Sequence, residues 1–324
     1  MYLILVSSRN HIESTENLER SYMRIKLQTT LSLLAITLIF NNVYAAGLDV
    51  PACNRALAKG DFKAALVQAN SALLTNKNDK DALICQGRAY SASGDLNSAL
   101  LAFKSADALS ENEFDRTITA LLTGHAYKAA KQYDDAINSY QQTILHAKAD
   151  ASGTFQRIGQ DAVGNVYFET KQFPLALTAY LAGSKFAAND NERADSYEKI
   201  AQTYHQLNQN DLALEFQIKV YVMYQAAGTL DQYAHSSIEL GRYYAAVKKY
   251  DNAEITLNKI IQFSKEQGGA YFEAQGSYVL AQVKAATGDM ASAKALVAHA
   301  KLIAKNTNDT ALDEEIKQET QHMF

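Results

Sequence analysis

The sequence predicts an all-α protein built from about seven repeated pairs of helices. Three observations support this prediction. A pattern of small, aromatic and Ala residues recurs along the 324 residues, and the chain holds only 2 Pro, so helix breakers are rare. Segments rich in Ala, Leu and Gln favour helix over strand. A chain of this length can bury one large core or stack many small units, and the recurrence favours the stack.

The net charge of the chain limits the class of partner that it can bind. The formal net charge is −4, so no net positive field favours a nucleic acid. We therefore expect a partner other than a nucleic acid.

The first 45 residues contain the three parts of a secretory signal. Met23 is followed by Arg24 and Lys26, then by an apolar run at residues 31–40, and then by small residues around Ala45. The apolar run is short for a membrane span. Cleavage is therefore favoured over a retained membrane anchor.

This interpretation predicts where the mature chain begins. We expect translation to start at Met23, with residues 1–22 a disordered extension and residues 23–45 the signal peptide. The mature protein would begin at Ala46 and be periplasmic or secreted, with no stable membrane insertion after cleavage.

The repeated pattern is a small residue, a Tyr three positions later, an Ala twelve positions after the small residue, and an aromatic or apolar residue four further on. The small residues are Cys53, Gly87, Gly124, Gly164, Ala201, Gly241 and Ala281. The later Ala residues are Ala65, Ala99, Ala136, Ala176, Ala213, Ala253 and Ala293. Tyr fills its place in five repeats, as Tyr90, Tyr127, Tyr167, Tyr204 and Tyr244. Successive repeats are 34, 37, 40, 37, 40 and 40 residues apart, which is too regular for chance.

Every repeat predicts a helix A, a turn and a helix B. We expect the small residue of helix A to face the Ala of helix B, with the aromatic residues filling the space beside them. Three turns contain Gly-Asp, at Gly60, Gly94 and Gly288. There Gly takes the left-handed conformation that ends helix A, and Asp starts helix B. Pro174 lies in the first turn of its helix B, where a missing N–H is tolerated. No pair buries its apolar face alone, so the pairs must stack.

The pattern resembles the tetratricopeptide repeat family over about residues 46–307. The residues that carry the resemblance in the second repeat are Gly87, Tyr90, Gly94, Asp95, Ala99, Phe103 and Ala106. The resemblance implies a right-handed superhelical solenoid whose A helices line a concave groove for peptides or partner helices. The chain departs from the family in lacking the Pro that often closes a repeat, in its longer period, and in Gln217, where an aromatic residue is expected.

Residues 308–324 predict a helix that caps the stack. Thr310 is the expected N-cap, and Leu312 and Ile316 would lie on one face. Such a cap covers an apolar end that would otherwise be exposed.

The two cysteines have two interpretations. In an oxidising compartment Cys53 and Cys85 could form a disulfide. Alternatively, each is a small packing residue, because Cys53 lies in the column of small residues. Cys85 lies two positions before Gly87 and so points to nearly the opposite side of its helix.

The sequence contains no recognised catalytic pattern. It has no glycine-rich phosphate loop, no His-Glu-x-x-His and no Gly-x-Ser-x-Gly. His125, His205 and His235 have no metal-ligand spacing. We therefore expect a protein that is not an enzyme, with no catalytic residues, no metal and no cofactor.

The resemblance places the residue after each small residue in the groove. This polar column consists of Asn54, Arg88, His125, Asn165, Gln202, Arg242 and Gln282. Such side chains can hydrogen-bond the backbone of a peptide, and a solvated helix face is the alternative. An unperturbed His125 would become charged below about pH 6.5.

A second column lies four residues earlier and consists of Val50, Ile84, Leu121, Asp161, Glu198, Ile238 and Tyr278. It contains no Lys, so the carboxylate clamp of some family members should be absent. Its mixture of apolar and acidic residues favours a partner with apolar anchors and some positive charge.

The sequence therefore predicts a scaffold that binds a protein or peptide in the cell envelope. The alternative is a carbohydrate-binding or small-ligand-binding envelope protein that uses the Tyr-rich groove.

Overall fold

The computed structural model describes residues 49–323, and over this range the chain is an all-α helical repeat solenoid, as predicted. The described residues form fifteen α-helices and no strand. They separate into two compact units, residues 49–188 and residues 189–323. The predicted extension and signal peptide lie outside the described residues.

The first unit contains four helical hairpins, which coincide with sequence repeats 1 to 4. Its helices are α1 (Asp49–Ala58), α2 (Phe62–Thr75), α3 (Lys80–Ser93), α4 (Leu96–Asp107), α5 (Glu113–Ala129), α6 (Tyr133–Ala149), α7 (Gly153–Glu169) and α8 (Phe173–Ser184). Odd-numbered helices are the A helices and even-numbered helices are the B helices.

The second unit contains repeats 5 to 7 and one further helix. Its helices are α9 (Asp190–Gln206), α10 (Asn210–Ala227), α11 (Leu230–Ala246), α12 (Tyr250–Gln267), α13 (Ala270–Ala286), α14 (Met290–Asn306) and α15 (Thr310–Thr320). Helix α15 packs on α13 and α14.

The matched Ala residues all lie in the core, since each of the seven is 0% exposed. The small residues of helix A pack differently from our expectation. A Cβ atom added to Gly87 would lie 2.5 Å from the ring of Phe103, and one added to Gly124 would lie 2.5 Å from the ring of Tyr140. The nearest atoms to these glycines therefore belong to the residue sixteen positions later. The missing side chain of each glycine makes room for a large one.

The sizes of the two facing residues are complementary from repeat to repeat. The pairs with glycine are Gly87 with Phe103, Gly124 with Tyr140, Gly164 with Tyr180 and Gly241 with Leu257. Where the helix A residue is larger, the residue sixteen positions later is smaller: Cys53 precedes Ala69, and Ala281 precedes Val297. The two residues thus divide the space between the helices differently from one hairpin to the next.

Gln217 follows the same rule in repeat 5. It is fully buried sixteen positions after Ala201, which carries the Cβ that Gly lacks in repeats 2 to 4. The side-chain amide of Gln217 donates to the main-chain oxygen of Ser236 on α11 at 3.0 Å. The expected aromatic residue is therefore replaced by a flexible side chain that also ties repeat 5 to repeat 6.

A disulfide joins the A helices of repeats 1 and 2. Cys53 on α1 and Cys85 on α3 form this bond, with their Cα atoms 6.4 Å apart and both side chains buried. Cys85 faces away from its own helix B, as its spacing from Gly87 indicates, and this orientation directs it to the preceding helix A.

The turn between helix A and helix B contains a left-handed residue in all seven repeats. It is Gly in three of them, and Lys131, Lys171, Asn208 or Lys248 in the other four. Side chains of Asp cap the helices that follow the Gly turns, and none caps the helix that follows a non-Gly turn. The chain therefore contains a favourable and an unfavourable version of one turn.

Converting a non-Gly turn into a Gly-Asp turn should stabilise the protein. We expect the double substitution Lys131→Gly, Gln132→Asp to raise the free energy of unfolding by about 1–3 kcal/mol, since Gly relieves the left-handed strain and Asp supplies a cap. Urea denaturation measures this change. Lys131→Ala is the control, because Ala meets the same steric conflict at positive φ. Equal stability of Lys131→Ala and Lys131→Gly would contradict the explanation.

Helix α15 begins one residue earlier than predicted. Its N-cap is Asp309, whose carboxylate accepts a hydrogen bond from the main-chain N–H of Leu312 at 3.0 Å, whereas Thr310 is already helical. The side-chain oxygen of Asp, like that of Thr, accepts a hydrogen bond from a main-chain N–H of the first turn, so the sequence allowed either residue as the N-cap. Leu312 and Ile316 are buried in the core of the second unit, and the opposite face is exposed and polar.

Candidate functional site

The polar column lies on the A helices, with four members in the first unit and three in the second. Asn165 and Gln202 are exposed, and the other five are half-buried. Hydrogen bonds within the protein already engage most of the column, so each member is described with its contacts.

Asn54 and Arg88 contact each other in the first unit. The Nη1 of Arg88 donates to Oδ1 of Asn54 at 2.9 Å. Burial lowers the pKa of Arg88 to about 10, and the guanidinium stays charged at neutral pH. No carboxylate among the described residues forms an ion pair with Arg88. It is therefore a half-buried cation held by an amide.

His125 and Asn165 contact the buried tyrosines of their own repeats. The Nδ1 of His125 lies 2.8 Å from the hydroxyl of Tyr140, and the hydroxyl of Tyr180 donates to Oδ1 of Asn165 at 2.8 Å. Burial, and then the nearby charge of Lys128, lowers the pKa of His125 to about 4. Titration near pH 6.5 was expected for an unperturbed ring, and the burial of this ring removes that condition.

His125 should make the stability of the protein pH-dependent. Unfolded chains bind a proton on His below about pH 6.5, whereas the folded chain binds one at His125 only near pH 4. The contribution of His125 to stability should therefore fall as the pH falls, by about 1.5 kcal/mol between pH 6.5 and pH 5.

The matched variant is His125→Asn, because Asn165 already accepts the equivalent bond from Tyr180 in repeat 4. Urea denaturation at pH 7 and pH 5 should show a smaller loss for this variant than for the parent. Equal losses would mean that His125 titrates near its ordinary pKa in the folded chain.

Arg242 is the centre of a network in the second unit. Its Nε lies 3.1 Å from Oε1 of Glu239, its Nη1 lies 3.2 Å from Oε2 of Glu319, and its Nη2 donates to the hydroxyl of Tyr278 at 3.1 Å. Gln282 donates to the main-chain oxygen of Glu319 at 2.9 Å. These contacts order both members of the polar column and neutralise Arg242.

Helix α15 extends both columns by one helix. Glu319 follows Gln282 by 37 residues and contacts it, and Glu315 follows Tyr278 by the same interval. Glu315 accepts hydrogen bonds from Tyr278 at 2.6 Å, from Tyr271 at 3.2 Å and from Gln275 at 3.2 Å. Sequence reasoning missed both carboxylates, although the 37-residue interval could have found them.

An open cleft of about 370 Å³ lies between α11 and α13. Apolar and aromatic residues form its floor, and polar residues surround it. The lining residues used below are Glu239, Arg242, Tyr243, Val279, Gln282 and Ala286. Two members of the polar column, Arg242 and Gln282, thus border a space that can receive a ligand group.

A second ion pair lies close to the cleft. The Nε2 of His235 is 2.8 Å from Oε1 of Glu198. Burial opposes the charge of this ring, but the hydrogen bond to Glu198 and the charges of Glu198 and Glu239 raise the pKa of His235 to about 9. His235 is therefore a cation at neutral pH, and it offsets one of the nearby carboxylates.

Hydrogen bonding and apolar contact are the chemistry that these side chains offer. In the part of the chain that the structure describes, no group of three or more potential metal ligands comes together. Among the same residues, every helix is too short or too polar to cross a membrane.

A family model described as a tetratricopeptide repeat matches residues 194–221. This segment covers most of α9 and the first part of α10, in the repeat that carries Gln217. The comparison with curated proteins finds no match.

Solved structures of tetratricopeptide repeat proteins share the fold. A signal transduction ATPase with numerous domains and a tetratricopeptide repeat sensor, from Pyrococcus horikoshii, is 16% identical with a TM-score of 0.69, over 83% of this chain and 43% of that one. The apo form of RapI is 14% identical with a TM-score of 0.66, over 85% and 81%. The C-terminal part of a repeat-containing protein from Cytophaga hutchinsonii is 14% identical with a TM-score of 0.58, over 82% and 98%.

The chain spans less than half the length of the ATPase, and at these identities the likeness shows the fold alone. One segment of the chain thus matches the tetratricopeptide repeat model, and the fold as a whole is similar to these solved structures.

Proposed function

We propose that this protein is a non-enzymatic scaffold that binds a segment of another protein on the polar column of its A helices. The tetratricopeptide repeat fold is generally a non-catalytic scaffold. The observation that carries the proposal is the cleft of about 370 Å³ beside Arg242 and Gln282, where an apolar floor adjoins ordered polar groups. Such a combination of apolar contact and oriented hydrogen bonds is typical of sites that bind a ligand.

Crosslinking in cells tests the binding surface. A photoreactive amino acid placed at Gln202 or Asn165, the two exposed members of the polar column, should attach covalently to a specific protein. The control position is Ile255, which is 70% exposed on helix B of repeat 6. Equal labelling of the same protein from Ile255 would move the binding surface to the B helices.

We further propose that the scaffold works in the cell envelope, either in the periplasm or after secretion. The signal-like segment at residues 23–45 supports export. The buried disulfide between Cys53 and Cys85 is typical of an oxidising compartment. N-terminal sequencing of the protein recovered from the periplasm or medium should find Ala46 first. An intact Met1 or Met23 would contradict cleavage.

The small exposed area of each ring favours a protein segment over a carbohydrate. Tyr243 is 4% exposed, which is too little to cover the face of a sugar ring, whereas the apolar lining as a whole can hold an aliphatic side chain.

A further inference from the structure

The cleft between α11 and α13 has an apolar floor, and Arg242 with its two carboxylate partners, Glu239 and Glu319, lies at its rim. We propose that it binds a partner segment in which a large apolar side chain is next to a Lys or Arg. This inference rests on the proposed scaffold function and defines the chemistry of the ligand.

The floor of the cleft selects an apolar anchor. Tyr243 and Val279 are buried at its base, with Ala286 at its edge. A volume of about 370 Å³ is at the lower end of known ligand pockets and suits one or two side chains rather than a folded element. Transferring an apolar side chain from water to this floor supplies the driving force.

The charges around the cleft select a cation beside that anchor. Arg242 is the basic residue in the lining that is always charged, and it already faces the carboxylates of Glu239 and Glu319. Glu198 is paired with His235, and Glu315 is held by neutral donors. At the cleft itself, two carboxylates, Glu239 and Glu319, therefore face one cation, Arg242, while the pairs of Glu198 with His235 and of Glu254 with Lys284 beside it are each balanced.

Glu239 is the carboxylate best placed to contact the ligand. It lines the cleft, its side chain is 18% exposed, and the ion pair with Arg242 engages its Oε1. A carboxylate has room for further donors on its second oxygen. In a partly buried site, a ligand ammonium or guanidinium group would be attracted more strongly than on an open surface.

The polar column of the first unit offers a ligand a cation rather than a carboxylate. Arg88 is held there by Asn54, with no carboxylate of the described residues in an ion pair. An acidic ligand would therefore depend on Arg88, whereas the ligand proposed here depends on Glu239.

Titration with fluorescent peptides tests the proposal on the full-length mature chain. The first peptide carries two Leu-Lys pairs in a Gly/Ser background. In the second peptide Glu replaces each Lys, and in the third Ala replaces each Leu. We expect the Leu-Lys peptide to bind at least tenfold more tightly than either of the others, with weaker binding as salt rises.

Two variants locate the site, each with a matched control. Ala286→Trp fills the cleft from an exposed position, and Ala295→Trp adds the same ring at an exposed position on α14. Glu239→Gln removes the rim carboxylate, and Glu215→Gln removes an exposed one on helix B. We expect Ala286→Trp and Glu239→Gln to weaken the Leu-Lys peptide at least fivefold, and the two controls to leave its affinity unchanged.

Thermal melting confirms that each variant is folded. Equal binding of all three peptides, no binding of any, or an effect of the controls as large as that of the cleft variants would overturn the inference. If Gln202 still crosslinks to a specific protein in that case, the proposed scaffold function stands and only the ligand chemistry is wrong. Failure of both the peptide titration and the Gln202 crosslink would overturn the ligand chemistry and the scaffold function.

Discussion

Replacing Cys53 and Cys85 together by Ala is expected to lower the free energy of unfolding by about 3.5 kcal/mol. The disulfide joins residues 32 positions apart. Closing a loop of this length restricts the unfolded chain, and the chain-entropy model assigns it a stabilisation of that size. The bond matters more here because the core of repeat 1 has the small side chain of Ala69 at the position where repeats 2 to 4 have a ring.

The loss should be confined to the end of the first unit. Hydrogen exchange should become faster in α1, α2 and α3 of the double variant, while α11 to α14 of the second unit keep their protection. Reductant should bring the parent to the level of the variant and leave the variant unchanged. A parent whose melting temperature does not respond to reductant would show that the bond contributes nothing to stability.

Tyr140→Ala is expected to lower the free energy of unfolding by about 3–5 kcal/mol, as large-to-small changes in aromatic cores do. Tyr140 is 0% exposed and packs against Gly124. In the parent, Gly124→Ala should also destabilise, by about 1–3 kcal/mol, because the new Cβ would overlap the ring. Once Tyr140 is Ala, the same change at Gly124 should become neutral or stabilising, since Ala favours helix over Gly.

A double-mutant cycle with urea denaturation measures this coupling. The control is Gly124→Ala combined with Gln202→Ala, an exposed position in another repeat, for which the two effects should add. Additivity of Gly124→Ala and Tyr140→Ala would mean that the two residues do not compete for the same space.

The repeats could be predicted from residue spacing alone because a structural repeat appears as a periodicity along the sequence. The seven hairpins coincide with the seven matches of the pattern, and the Ala of each match is fully buried. A position that must be small between two helices restricts residue choice strongly, so it can be read from one sequence. The same holds for the Gly-Asp turns, where positive φ and the cap both limit the side chain.

Pairwise contacts were harder to predict because many geometries satisfy one spacing. Helix periodicity placed Gly124 on the inner face but did not decide between Ala136 and Tyr140 as its neighbour, and volume decided it. The burial of His125 and its contact with Tyr140 depend on how deeply the helix lies, which periodicity does not measure. Glu319 contacts Arg242 across 77 residues, and only the stacked helices bring them together.

The matched volumes inside each hairpin make the whole hairpin the smallest interchangeable part of this chain. Joining the α5 of Gly124 to a helix that carries Val297 would leave a void where Tyr140 lies. Joining the helix of Ala281 to one that carries Tyr140 would produce a clash. A genetic exchange within a repeat can therefore join two residues of unmatched volume, whereas an exchange at the loop between repeats keeps every matched pair. Recombination that lengthens or shortens such an array would be tolerated mainly at the loops that follow the B helices.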